Sequence, residues 1–201
     1  MADAPVLTVG HGCALCEPAG EVNGRPFLVC TEKCTEEMRA LTVKQPWAHM
    51  IASRGKTVEN RIWPTDYRGL LAIHAGAYSG WDRDAESSPV ALEAWKRTAG
   101  TDAAGNARTP LTRGEAASFL AFGAVIAVAE LSGCHDGRDC SDVALPPRYC
   151  SPWAAAGQWH WQLACIQPLA EPVRVRGMLG LWRLPEDVEK AVRAQLEVHD
   201  A

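Results

Sequence analysis

Apolar residues alternate along some stretches of the chain and recur at helical spacing along others, and the switches between the two rhythms mark out the elements. Leu41 and Val43 alternate with polar neighbours, as in a half-buried strand. Pro46 then opens a helix at its first turn, Trp47, Met50 and Ile51 recur at helical spacing, and Gly55 stops it. A β-prone run over 56–63 follows, then a turn at 64–69 and an almost wholly apolar strand at 70–75. Residues 76–112 are polar and rich in Gly, Ala and Ser, with one predicted helix at 89–97. Further strands are predicted at 121–131, 159–169 and 175–184, and Pro185 opens an amphipathic helix running toward Val198. Strands interrupted by one early helix and one insertion predict an α+β protein, a small mixed or antiparallel β-barrel with helices packed outside it.

The front of the chain has a different character. Two residues separate Cys13 from Cys16 and three separate Cys30 from Cys34, and between the pairs residues 21–29 read as a hairpin turning at Asn23-Gly24. Thr31 or Thr35 caps a short predicted helix through Met38, which places Cys34 in or near its first turn. Four thiolates satisfy tetrahedral zinc, and a segment this short has no core of its own, so metal binding would supply much of its folding free energy. Knuckle, hairpin and helix start together resemble a treble-clef-like finger holding structural Zn2+ through Cys13, Cys16, Cys30 and Cys34. His11 reads as an exposed neighbour. The chain therefore divides into a cysteine-rich zinc-binding module over 1–39 and a barrel domain over 40–201, with an insertion at about 76–120 and a C-terminal helix.

Composition narrows the function. With 201 residues, 47% of them hydrophobic, the chain can bury one substantial core and carry a small appended module. No stretch is long and apolar enough to cross a bilayer and the N-terminus lacks a secretory pattern, so a cytoplasmic location is expected. A net charge of −4 excludes a broad basic face gripping duplex nucleic acid. Eight tryptophans are a large number when each buried indole needs a partner for its N–H, and several are expected to line a site. The later cysteines are scattered. Irregular spacing argues against a metal site among Cys134, His135, Cys140 and Cys150, and the apolar strand around Cys165 predicts a small buried side chain.

The candidate chemistry gathers between Trp47 and Trp63. Lys56 beside a carboxylate in a partly dry cleft can anchor a phosphate or a polar base, or act as a base itself if desolvation lowers its pKa. Glu59 and Arg61 are two apart on a strand and share a face with Thr57 and Trp63. On that face a carboxylate can accept from an exocyclic amine, a guanidinium can grip a phosphate or carbonyl, and an indole can stack on a base. The bland alternative is a surface salt bridge of little value. Glu130 ends an apolar strand where an unpaired carboxylate would be expensive, so it is expected to meet Lys56, Arg61 or a ligand amine, unless the strand end is exposed. Trp47, Tyr67, His74 and Trp159 complete the expected pocket, with core packing the alternative for each.

The residues Gln45-Pro46-Trp47-Ala48 and Gly55-Lys56-Thr57-Val58-Glu59-Asn60-Arg61-Ile62-Trp63, followed by Tyr67-Arg68-Gly69 and the strand ending near His74, resemble the start of an ASCH domain, a member of the PUA-like β-barrel superfamily. Looser similarity extends through Gly157-Gln158-Trp159-His160-Trp161, Arg176-Gly177 and Gly180-Leu181-Trp182. The resemblance implies a PUA-like barrel that binds RNA, single-stranded nucleic acid or a modified nucleoside, with the zinc module free to hold a protein partner. It also implies a second class of function. Small ASCH-like amidohydrolases acting on acetylcytidine carry a Gly-x-Lys-Thr-x-Thr-x-Arg motif. Lys56, Thr57 and Arg61 match it and Glu130 corresponds to the acid, but Glu59 stands where the nucleophilic Thr is expected, which removes the hydroxyl needed for covalent catalysis. If the protein is a hydrolase or ribonuclease, Lys56, Glu59 and Glu130 are its expected catalytic groups. A third reading makes the chain a transcription-associated adaptor with the barrel as scaffold.

Overall fold

The computed structural model describes residues 6–8, 16–22, 25–30, 37–77, 88–106, 108, 113–140 and 149–197. The first three strands, β1 (Val6–Thr8), β2 (Cys16–Val22) and β3 (Arg25–Cys30), form an antiparallel sheet of order β1-β3-β2. Val22 and Arg25 are register partners, so β2 and β3 form the hairpin expected around Asn23-Gly24. Of the four cysteines assigned to a zinc module, Cys13 and Cys34 lie outside the described residues, as does most of the short helix expected through Met38. Cys16 and Cys30 are register partners on β2 and β3.

The main body is a six-stranded sheet of order β5-β8-β7-β6-β4-β9. Its strands are β4 (Arg39–Val43), β5 (Val58–Arg61), β6 (Gly69–Ala75), β7 (Ala124–Asp136), β8 (Trp159–Arg174) and β9 (Leu181–Arg183). β4 and β6 run parallel, joined by a crossover through helix α1 (Trp47–Ser53), and every other pair is antiparallel. The sheet is curled. β5 lies at one edge and three strands separate it from β4, yet the Arg61 Nη2 donates to the Thr42 carbonyl at 2.8 Å. The result is the α+β half-barrel with peripheral helices that the strand pattern predicts.

Alternation divides the core between the two faces. On the inner face Leu41, Val43, Leu71, Ile73, Ala75, Ala127, Ala129, Leu131, Trp161 and Leu163 surround Ala48, Ile51 and Ala52 of α1. On the outer face Ala40, Ala72, Val125 and Val128 pack against Trp182, Leu184 and the Val188 and Val192 stripe of helix α5 (Glu186–Glu197). β6, buried on both faces, has the near-continuous apolar run such a strand requires. Within the expected insertion, helix α2 (Pro89–Ala99) is capped by the Ser88 hydroxyl, which accepts from the Ala91 N–H, and Pro89 occupies its first turn. It packs Ala94 and Trp95 against Met50, Leu120, Phe122 and Ala116 of the short helix α3 (Arg113–Ala117).

Two strand expectations are corrected. Only Leu181–Arg183 of the stretch 175–184 is extended, because the backbone at Gly177 is pressed against the His74 ring and Gly180 turns with φ of 69°. A Cβ on Gly177 would come within 2.5 Å of His74 Cε1, so the chain there follows a side chain rather than a ladder. Cys165 is exposed rather than buried. It sits at φ 46° where two register partners on β7, Val128 and Glu130, face Gln167 and Ala164 across a bulge that turns it outward.

Candidate functional site

Helix α1 delivers the central lysine. The Gln45 side chain accepts from the His49 N–H at 3.0 Å and donates to the Ala121 carbonyl at 2.8 Å, which fixes the helix entrance where proline offers no cap. At the exit, Gly55 adopts φ 73°, a conformation that suits glycine, and the Lys56 N–H turns back to the Met50 carbonyl at 3.1 Å. The reversal sends the Lys56 side chain inward, where it is only 1% exposed.

β5 supplies the partners. Lys56 Nζ donates to Glu59 Oε2 at 2.9 Å and also to the Val58 carbonyl, and it lies 5.7 Å from the centre of the Trp47 ring. Glu59 is 7% exposed, and its other oxygen, Oε1, is 3.3 Å from Arg61 Nε, within ion-pair range but not aligned as a hydrogen bond. Arg61 is the most open of the three charged groups. Burial pushes the Lys56 pKa down, the Glu59 charge and hydrogen bond oppose that shift, and Arg61 adds to it. A cation, a carboxylate, a guanidinium and an indole thus converge on the inner face where β5 approaches α1.

The other expected pocket residues have different places. Trp159 is the register partner of Arg61 and lies on the same face, half-buried. Trp63 packs edge-on against Trp161 at 4.6 Å and its carbonyl accepts from the Trp161 indole at 3.2 Å, so it flanks the core. The Tyr67 hydroxyl is within 2.6 Å of the Leu70 carbonyl and 2.8 Å of the Glu37 carbonyl, a bracing role. His74 alternates onto the outer face, bonded to the Val175 carbonyl at 3.0 Å and edge-on to Trp182. Glu130, 4% exposed, shares the outer face with its register partner Leu70, so the sheet separates it from Lys56 and Arg61. The structure therefore brings together Trp47, Lys56, Glu59, Arg61 and Trp159, and leaves out His74 and Glu130. Thr42, whose carbonyl anchors Arg61, carries no polar side-chain signal for that role. A surface groove of about 570 Å³ runs along α5 past Leu184, Glu186 and Lys190, but it lies on the outer face, away from this chemistry.

His49 illustrates how dry the region around α1 is. Its Nε2 is 3.0 Å from the Thr98 hydroxyl, and burial, followed by the Arg54 charge, lowers its pKa to about 4. Burial lowers that of His74 as well. Both rings resist protonation in the folded chain, whereas in the unfolded chain they titrate near the ordinary value of about 6.5. The unfolded state therefore binds more protons between those values, and stability is full above about pH 6.5 and declines as pH falls toward 4. His49 is expected to contribute on the order of 1–2 kcal/mol of that loss, after allowance for solvent screening of a partly exposed ring. Urea midpoints at pH 7.5 and pH 5 measure it, and a His49→Gln chain showing the same drop as the parent refutes the assignment.

A second cluster lies on the reverse of β8. His135, Cys140, Cys150 and His160 each place one ligand atom within 4.8 Å of all the others, an arrangement that could hold a metal ion. Irregular sequence spacing had argued against a metal site in this stretch. His135 and His160 are register partners on β7 and β8, and α4 (Gly137–Cys140) and the chain at Cys150 bring in the sulfurs. Cys134, register partner of Trp161, takes no part.

Comparison with known proteins adds a family. The ASCH domain profile matches residues 41–165, which include the whole Lys56 site. No curated protein matches the chain. Among solved structures, a mutant of ZmASCH from Zymomonas mobilis aligns with 13% sequence identity over 79% of this chain and 98% of its own, with a TM-score of 0.42.

Proposed function

Because the chain belongs to the ASCH domain family, whose members are associated with RNA binding, we propose that it binds single-stranded RNA or a modified nucleoside at the Lys56–Glu59–Arg61 site. The observation that carries this reading is the buried Lys56–Glu59 pair holding Glu59 Oε1 toward Arg61 beside two half-buried indoles, Trp47 and Trp159. In that setting Glu59 accepts from a base amine, Arg61 meets a carbonyl or phosphate, and an indole supplies the stacking surface. Lys56 acts through Glu59, holding the carboxylate in place by its hydrogen bond to Oε2. With a net charge of −4 and one partly exposed guanidinium at this site, few phosphates are engaged.

The test is fluorescence anisotropy with short single-stranded RNAs, and competition by nucleosides including acetylcytidine, with products monitored. Binding is expected with a shallow salt dependence, a log–log slope of about −1, corresponding to one or two phosphates. Trp47→Leu and Arg61→Gln, each checked for folding by thermal melting, are expected to weaken it about tenfold, the scale of one lost stack or charged contact. Unchanged affinity in both folded variants overturns the site. Turnover of acetylcytidine or RNA would favour the hydrolase reading. The position of Glu130 behind the sheet and the absence of a hydroxyl at Glu59 count against it.

A further inference from the structure

We propose that His135, Cys140, Cys150 and His160 form a structural zinc site that ties the tips of β7 and β8 to the segment entering β8. The ligand set is two thiolates and two imidazoles, which suits zinc in a closed tetrahedron. Zn–S and Zn–N bonds of about 2.3 and 2.0 Å put neighbouring ligand atoms about 3.3–3.8 Å apart in such a tetrahedron. Here Cys140 Sγ is 3.1 Å and Cys150 Sγ 3.4 Å from His160 Nδ1, and all four ligand atoms fall within 4.8 Å of one another.

The surroundings orient the ligands as a metal site requires. His160 is fully buried, and its Nε2 is 2.8 Å from the Ala155 carbonyl, which fixes the proton there and leaves the Nδ1 lone pair facing both sulfurs. Ala155 is itself held, because its N–H donates to Asn60 Oδ1 at 2.9 Å while Asn60 Nδ2 donates to the Trp153 carbonyl at 2.8 Å. Gly137 presses its backbone against the ring: a Cβ there would meet His160 Nε2 at 2.7 Å and the Gln158 carbonyl at 2.5 Å. His135 Nε2 is buried without a hydrogen-bond partner, a placement that needs an acceptor or a cation. Cys150 is exposed, which gives an ion a way in. Binding of Zn2+ converts both thiols to thiolates and releases their two protons to solvent, leaving a neutral centre with no open position. The role is therefore structural. The ion fixes the segment at Cys150–Ala155, which Asn60 clamps to the strand carrying Glu59 and Arg61.

The experiment uses the full chain, stripped of metal by a chelator under reducing conditions and titrated with zinc sulfate. Cys140→Ser/Cys150→Ser is expected to bind one zinc per chain fewer than the parent, and an unchanged zinc content overturns the site. A second measurement needs no variant in these cysteines. Alkylation of Cys140 and Cys150, mapped by mass spectrometry, is expected to slow at least about tenfold when zinc is added. The same protection is expected in a Cys13→Ser/Cys16→Ser chain. Equal labelling with and without zinc, or protection that disappears when Cys13 and Cys16 are replaced, overturns the proposal.

Discussion

A Lys56→Met chain is expected to lose about 3 kcal/mol of stability at pH 7, the lower end of the usual cost of removing one partner from a buried ion pair. The loss comes mainly from what is left behind. Glu59 stays 7% exposed with no donor at Oε2, while Arg61, 3.3 Å from Oε1, remains to limit the damage. Neutralising the carboxylate as well, in Lys56→Met/Glu59→Gln, is expected to recover at least about 1 kcal/mol, because two uncharged groups of similar size replace one stranded charge. Glu59→Gln alone behaves differently. The lysine loses the charge and hydrogen bond that hold its pKa up against burial, so its folded-state pKa falls further below the unfolded value. Such a group favours folding above the unfolded pKa and opposes it as pH falls, so the deficit of this variant relative to the parent is expected to narrow on going from pH 7 to pH 9, toward the unfolded lysine pKa of about 10.4. Urea unfolding of the four chains at both pH values closes the cycle. A Lys56→Met chain as stable as the parent would show that the pair is not buried in solution.

Trp161→Ala is expected to cost about 3–5 kcal/mol, the range for emptying a fully buried aromatic position. Trp161 is 0% exposed, sits in the inner-face core and stacks edge-on with Trp63. It is also the register partner of both Glu59 and Cys134, so the void opens beside the candidate site. Trp161→Phe keeps much of the apolar area but leaves the Trp63 carbonyl without its indole donor, and a smaller loss of about 1–2 kcal/mol is expected. Urea midpoints order the three chains. Equal stability of the Ala and Phe variants would mean that packing at this position contributes little.

These two positions also show what was legible in the residues. Lys56 and Glu59 are legible because a glycine stop followed by closely spaced opposite charges has few structural uses, and the two side chains are in contact. Elements bounded by proline, serine or glycine were equally readable: the helix expected at 89–97 is Pro89–Ala99, and the one opened by Pro185 is Glu186–Glu197. Face assignments that cross several strands were not readable. His74 follows the plain alternation of β6 to the outer face and Glu130 the alternation of β7, but which parity faces Lys56 is decided by pairing across several strands and their bulges, which leave no fixed mark in an apolar run. Cys165 was misplaced for the same reason. Spacing argues against the His and Cys cluster because its members lie on separate elements, and the sequence does not assign His160 to it because only register joins His160 to His135. The one available hint was the Trp-His-Trp triplet at 159–161, whose alternation sends the imidazole to the face opposite both indoles.

That alternation has a consequence for how the chain can change. Trp161 serves one side of β8 and His160 the other, so adding or deleting a single residue near 160 would exchange the two and strip both surfaces in one step. The bulge at Cys165 lies a few positions downstream and already carries unpaired length. Length variation among relatives should therefore gather at that kink, which can absorb a residue without passing the error on to the indole and imidazole before it.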